Sequence, residues 1–502
     1  MQAVFTRLLL FGCGRVSFEH RIARRLNFTG RHAVRLLAGE RGEQILTDVQ
    51  AVCLIESRCS TGKRSERQPP RLYLPGQQNM VQSERLRLPK GAFPLPAQTL
   101  GRDFMRTALL IFLLAVPGLA QAAPAPATLG IDGAFLAQVK SHASPALLET
   151  VRSEADAALS VGPYSVMDKK ETPPSGDKHD YMSIGPYWWP NPATANGLPY
   201  IRHDGKTNPD RYSISDDAEF NKVQSAVHAL GLGYYLTGNE KYAARAVLLL
   251  RRWFLDPATH MNPNLNYAQS IPGVTDGRGI GLIDVHGIPR LLDGITLLTG
   301  SRNLTKQDEQ GLRQWFTEYL KWLQTSKNGR DEAGAKNNHG SWFDQQMVGI
   351  ALFLGDKDLA RQVCETAKTK RIAFQIKPDG GEPLELARTK SFSYSVFNLD
   401  ALERLAVEAR LASVDLWSYR AANGASIRAA LDYLLPYAEG TKKWTHEALN
   451  GVQGDSLTEP LLLAALHYHD PAYLKAAEKL EKHPGAEILL LQAQVEQELA
   501  AR

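Results

Sequence analysis

The chain has 502 residues, 43% hydrophobic and 22% charged, with a formal net charge of +5. This balance supports one large core or two ordinary ones and excludes a disordered or fibrous protein. The positive sign is local: residues 1–104 hold 17 of the 58 Lys and Arg but only 8 of the 53 Asp and Glu, and Arg106 adds one more base, so the remainder carries 40 bases against 45 acids. A nucleic-acid partner is therefore not expected, and an anionic ligand has to be met by locally placed Arg, Lys and His.

In chain order, the first readable signal is Met105-Arg106-Thr107, followed by the apolar run from Ala108 to Val116 and by Ala120-Gln121-Ala122. A basic start, a short apolar stretch and an A-x-A site describe a secretory leader. We therefore expect translation to begin at Met105, with 1–104 a misassigned and disordered extension, 105–122 the leader, and 123–502 a single exported domain, periplasmic or secreted. The apolar run falls well short of the ~20 residues needed to cross a bilayer, so no stable membrane insertion is expected after cleavage. Cys13, Cys53 and Cys59 fall before the leader and only Cys364 follows it, which leaves no intrachain disulfide. Cys364 sits in an amphipathic helical pattern and reads as a small buried hydrophobe.

From Pro145 onward the spacing of apolar residues predicts helices over 217–236, 240–254, 283–298, 306–323, 342–354, 358–373, 397–411, 427–437, 457–467 and 472–482, with a last amphipathic helix over 484–502. Three segments share a pattern of helix end, Gly or Asp turn and new helix start: Gly233 to Ala243, Ala351 to Ala360, and Ala465 to Leu474. Each is a helical hairpin with a face that it cannot bury alone, so each must stack on the next. The fold class is all-α, and closing the series gives an α/α toroid, an incomplete barrel of antiparallel hairpins capped by the last helix. Loops 171–215 and 257–281 hold most of the Pro, Gly, Asn and aromatic residues and are expected to form a cleft at one end.

The first of these loops contains His179-Asp180-Tyr181-Met182-Ser183-Ile184-Gly185-Pro186-Tyr187-Trp188-Trp189-Pro190. Tyr181, Tyr187, Trp188 and Trp189 offer rings that stack on sugars, or alternatively a small hydrophobic cluster that pins the loop. Lys178, Arg202 and His203 flank it as partners for sugar carboxylates, although a lone surface base is usually only a solvated charge. Arg278, in Gly277-Arg278-Gly279, and His286 are further candidates to line the cleft.

Two later stretches carry the chemistry: Asn337-Asn338-His339-Gly340-Ser341-Trp342, and Glu385 through Arg388 to Tyr394. Together they supply an amide, an imidazole, a guanidinium and a phenol, the set needed to hold a carboxylate and move a proton beside it. Each has an ordinary alternative. Asn338 or Ser341 could cap a helix beginning at Ser341, Arg388 could pair with Glu385 one turn earlier, and Tyr394 could be a core aromatic.

Asp180-Tyr181-Met182-Ser183, Pro186-Tyr187-Trp188-Trp189-Pro190, Gly197-Leu198-Pro199-Tyr200-Ile201-Arg202 and Asn337-Asn338-His339 together resemble the alginate lyase domain superfamily, which includes family 5 alginate lyases and glucuronan lyases, over about residues 175–470. The resemblance implies an α/α toroid with an active site formed by Asn338, His339, Arg388 and Tyr394, and β-elimination on a polyuronate such as alginate, polymannuronate or glucuronan. The segment Thr389 to Phe397 is poorer in basic and His residues than the family 5 pattern, which leaves the uronate open.

The residue chemistry agrees with this. The C5 proton of a uronate is weakly acidic while its carboxylate is ionised, so amide, guanidinium and imidazole donors must first quench that charge, and each well-placed donor contributes roughly 2.7–4 kcal/mol in comparable sites. Tyr394 can then remove the C5 proton and protonate the C4 leaving oxygen where the two lie on one side of the ring. For guluronate, where they lie on opposite sides, His339 is the natural base.

No cofactor and no metal are expected, and oligomeric state stays open. His467-Tyr468-His469-Asp470 reads as an exposed turn rather than a metal tract, and Gly277-Arg278-Gly279-Ile280-Gly281 lacks the strand that a dinucleotide site needs. Two other functions remain: a glycoside hydrolase on the same ring, using Asp344, Glu382 or Glu385 as its carboxylate pair, or a binding protein without turnover.

Overall fold

A computed structural model describes residues 125–502. The extension, the leader and the cleavage site expected before Ala123 lie outside the described residues. Helices α1 (Gly133–His142) and α2 (Pro145–Ala158) come first, and the long loop after them holds three short strands, β1 (Met182–Ile184), β2 (Trp188–Trp189) and β3 (Ile201–Arg202). Helices α3 (Asp216–Thr237) and α4 (Glu240–Leu250), strand β4 (Tyr267–Ser270), and helices α5 (Ile288–Leu297), α6 (Lys306–Thr325) and α7 (Lys327–Ala333) follow. Then come α8 (Asn338–Leu354), α9 (Lys357–Ala367), α10 (Pro383–Leu386), α11 (Ser391–Ala409), α12 (Ile427–Ala438), α13 (Thr458–Tyr468), α14 (Pro471–Leu480) and α15 (Ala486–Ala500).

The three hairpin turns form where the sequence places them, and for a shared reason. A residue with positive φ ends the first helix (Gly238 at 68°, Gly355 at 88°, His469 at 53°). The next residue, Asn239, Asp356 or Asp470, then accepts a backbone N–H of the new helix. Each such cap is worth about 1 kcal/mol and fixes the direction of the returning chain.

Buried residues of α3 to α7 form one core around Phe220, Trp253, Leu291 and Phe316. Those of α9 to α15 form a second around Leu399, Leu431 and Leu461. Helix α8 separates them, with Met347 and Ile350 in the first and Val348 and Ala351 in the second, so it is buried from both sides. A third cluster joins Leu136 and Val151 of α1 and α2 to Leu490 of α15, and the Ala486 N–H donates to Glu154 at 2.8 Å. The last helix thus meets the first two, giving the toroid-like closure expected of stacked hairpins. The long loops are tied together by two small sheets, β1 parallel to β4 and β2 antiparallel to β3. No described helix is long and apolar enough to cross a membrane.

Several boundaries differ from the periodic reading. Helix α8 starts at Asn338 rather than near Ser341 or Trp342, and α11 starts at Ser391, six residues before Phe397. The latter start is set from outside the helix: Ser391 donates its N–H to the Glu447 carbonyl at 3.1 Å, and Lys390 bridges to Ala448. A 3₁₀ segment, Gly279–Val285, replaces the expected first turns before α5. His467 is no exposed turn residue: its ring stacks 4.5 Å from that of Trp417, and burial pushes its pKa down to about 3. Cys364 is fully buried, with burial pushing its thiol up to about 12.

Candidate active site

The first turn of α8 carries Asn338 and His339. Asn337 takes the cap position but makes no side-chain cap bond. A carboxylate from another element does that work: Glu385, on α10, accepts the Asn338 backbone N–H at 2.7 Å and its side-chain Nδ2 at 2.8 Å. An acid at a helix N-terminus is electrostatically favoured and satisfies amides that the helix leaves unpaired. Neither Asn338 nor Ser341 is the cap residue; Ser341 donates to Gln375 instead. Burial raises the Glu385 carboxyl, opposed by the two Asn338 bonds and by the Arg388 and His339 charges.

The His339 Nδ1 lies 2.7 Å from Oε1 of Glu332, a buried residue on α7. The glycine that follows is required by packing. A Cβ at Gly340 would collide with Nη1 of Arg371 and with the Ala335 carbonyl, which are themselves hydrogen-bonded. Arg371 is wholly buried, also donates to the Ala333 carbonyl, and grips Asp344 with two bonds of 2.8 and 3.0 Å. It therefore clamps the 333–335 segment beneath His339.

Arg388 sits just past α10, and its carboxylate partner is not Glu385. Its Nε and Nη2 grip Asp204, 184 residues away, at 3.1 and 2.8 Å. Asp204 also accepts from the N–H and hydroxyl of Thr389. Burial acts to raise the Asp204 carboxyl, but the Arg388 guanidinium overrides it and holds the pKa at about 2.

Tyr394 falls in the first turn of α11, where the guanidinium carbon of Arg388 lies 3.9 Å from the centre of its ring. The Tyr394 hydroxyl is 2.6 Å from that of Tyr187. Burial and the Tyr187 neighbour push the Tyr394 phenol up, and Arg388 opposes them. Asn338 is bonded to Glu385, whose backbone carbonyl accepts the Arg388 N–H at 3.0 Å, and Arg388 in turn lies on Tyr394; His339 follows Asn338 in the chain.

The loop residues divide. Tyr187 joins the site through its hydroxyl, and Lys390 lies 5.8 Å from its ring centre. Trp188 and Trp189 form β2, paired with Arg202 and Ile201, and both remain partly exposed. Arg202 is exposed and donates to Asp204 at 2.6 Å. Arg278 lies 5.8 Å from the Trp188 ring, and two 3.0 Å bonds to Gln269 fix its fork. Gln269 takes a positive φ of 47° and is itself held by Asp284.

Three expectations need correction. Tyr181 is fully buried with its hydroxyl donating to Asp284, because the loop turns that ring into the core; it presents no face to a sugar. Lys178 donates its ammonium to the Met167 carbonyl and anchors its own loop. His286 packs against Trp342 and Phe397, with ring centres 4.8 and 5.4 Å away, and burial lowers its pKa, so it supports the helices that carry His339 and Tyr394.

The carboxylate pair for hydrolysis is not presented either. Asp344 is tied to Arg371, and Glu382 and Glu385 are buried. Among the described residues, no group of three or more His, Cys, Asp or Glu is placed to hold a metal. Sequence reasoning missed Asp204, Glu332 and Glu385 as partners of the site. Glu385 had a visible signal, its place in the same motif as Arg388, whereas the other two had none beyond being acidic.

The family model for alginate lyase matches residues 165–444. A solved alginate lyase from Bacteroides ovatus is 38% identical, with the match covering 74% of this chain and 99% of that one at a TM-score of 0.70. Alginate lyase A1-III from Sphingomonas species A1 is 18% identical, covering 68% of this chain and 88% of its own at a TM-score of 0.45. No curated protein matches. With a family model spanning more than half of its length and a relative matched almost end to end, the chain belongs to the alginate lyase family of polysaccharide lyases.

Proposed function

We propose that the chain cleaves a polyuronate, either mannuronate-type alginate or glucuronan, by β-elimination, with Tyr394 as base and then acid. The observation that carries this reading is the stack of the Arg388 guanidinium on the Tyr394 ring at 3.9 Å. In the free enzyme the phenol is held protonated by burial and by Tyr187. A fixed cation on its face lowers the cost of the phenolate that forms as the proton moves.

The C5 carboxylate would be quenched by the second Nδ2 hydrogen of Asn338, by His339, and by Nη1 of Arg388, the guanidinium nitrogen that Asp204 leaves free. Donors held in place before the substrate arrives need no reorganisation during the reaction. For mannuronate or glucuronate the C5 proton and the C4 oxygen share one side of the ring, so one phenol reaches both. The exposed parts of Trp188 and Trp189, with Arg202 and Arg278 nearby, suit stacking and charge pairing with neighbouring sugars. Export by the leader at 105–122, to the periplasm or beyond the cell, fits a polymeric substrate.

The deciding assay follows the ultraviolet absorbance of the C4=C5 double bond conjugated to the carboxylate, which elimination creates and hydrolysis does not. Alginate, polymannuronate, polyguluronate and glucuronan are compared. A rise on polymannuronate or glucuronan is expected; reducing ends released without absorbance would overturn the reading in favour of hydrolysis.

A further inference from the structure

The imidazole of His339 has a buried acidic partner with no role yet in the chemistry. Glu332, next to last in α7, is 2% exposed and places Oε1 2.7 Å from Nδ1. A carboxylate can only accept here, so Nδ1 carries the proton. The other ring nitrogen, Nε2, makes no hydrogen bond to any described residue and is the atom left for a ligand.

This contact is built from several directions. Arg371 holds the Ala333 and Ala335 carbonyls, which fixes the short connection between the residue after Glu332 and the start of α8. Gly279 packs so closely on the Glu332 backbone that a Cβ there would lie 3.1 Å from its nitrogen and 2.7 Å from the Asn328 carbonyl. The carboxylate is therefore delivered by rigid backbone on both sides. Burying a carboxylate is costly unless it is paired and hydrogen-bonded, and His339 supplies that partner.

We propose that Glu332 is a positioning residue for the elimination: its buried carboxylate accepts the Nδ1–H of His339, fixes the ring's direction, and leaves Nε2 as the working atom, which donates to the C5 carboxylate once the ring is protonated. The inference rests on the placement of His339 in the active site. Its physical basis is that a histidine's reacting nitrogen is set by the bond made by the other. In the Ser-His-Asp arrangement, neutralising the corresponding carboxylate lowers kcat by about 10⁴ without disturbing the geometry.

The test combines kinetics on polymannuronate and glucuronan with imidazole nitrogen NMR of the full chain. Glu332→Gln should lower kcat at least ~100-fold and change KM less than ~3-fold, with thermal stability near that of the parent and partial recovery in Glu332→Asp. In a His339→Ala background the same substitution should cost less than ~3-fold, because a residue that acts through another has nothing left to orient. In the parent protein, long-range proton–nitrogen correlations should show His339 protonated at Nδ1. An equal loss with and without His339, or an Nδ1 without a proton in the parent, would overturn the proposal. Full activity in His339→Ala would instead remove the reading of the site, and the NMR result would still decide the role of Glu332, even if Glu332→Gln failed to fold.

Discussion

Arg388 stands over the ring of Tyr394 at 3.9 Å while Asp204 occupies its fork, so the guanidinium faces the phenol with its charge fixed in position. Two nitrogens of the guanidinium are committed to a structural carboxylate. The cation therefore acts on the proposed base as well as on any bound uronate.

Tyr394→Phe is expected to abolish elimination while leaving the fold intact, since only a hydroxyl bonded to Tyr187 is lost. His339→Ala should lower turnover at least ~100-fold, in line with general acid–base contributions. Absorbance assays paired with thermal melts check both, and near-parent rates would remove the mechanism.

Asp204→Ala should release Arg388 from its place over Tyr394 and lower kcat on the order of 10- to 100-fold, since small misplacements of catalytic groups carry such costs. A variant faster than the parent would mean that the Asp204 pair restrains Arg388 from the substrate instead.

Gly340→Ala forces a methyl group against Arg371 and the Ala335 carbonyl. Overpacking of this kind destabilises by about 1–3 kcal/mol. Denaturant unfolding measures the loss, and an unchanged midpoint would show that the clamp yields freely.

His228 is buried on α3 with its pKa pushed down to about 4 by burial and by Arg290. Because the folded value lies below the unfolded value near 6.5, the unfolded state binds the proton between about pH 6.5 and 4, and stability falls as pH drops through that window. His228→Gln should remove that slope, which is worth up to roughly 3 kcal/mol. Melting curves of both proteins from neutral to acid pH would show parallel profiles if His228 were not responsible.

Activity should survive chelation, because amide, imidazole and guanidinium donors suffice to quench one carboxylate. Loss of activity in a chelator, restored by a divalent cation, would contradict this.

What could be read from the residues was local. Apolar spacing gave the hairpins and Gly or Asp turns gave their reversals, because helix periodicity and capping depend on residues within a turn or two of each other. The Asn337-Asn338-His339 and Arg388 to Tyr394 segments were visible because the chemistry of a uronate demands those side chains. The tertiary structure decided which donors are free. Helix α8 begins at Asn338 because Glu385 caps it from another element, and α11 begins early enough to hold Tyr394 because Ser391 bonds to Glu447. The partners Asp204 and Arg388 are 184 residues apart, and nothing in either one's neighbourhood marks the other. Such pairs form only after the helical hairpins have stacked, so they follow from packing rather than from propensity.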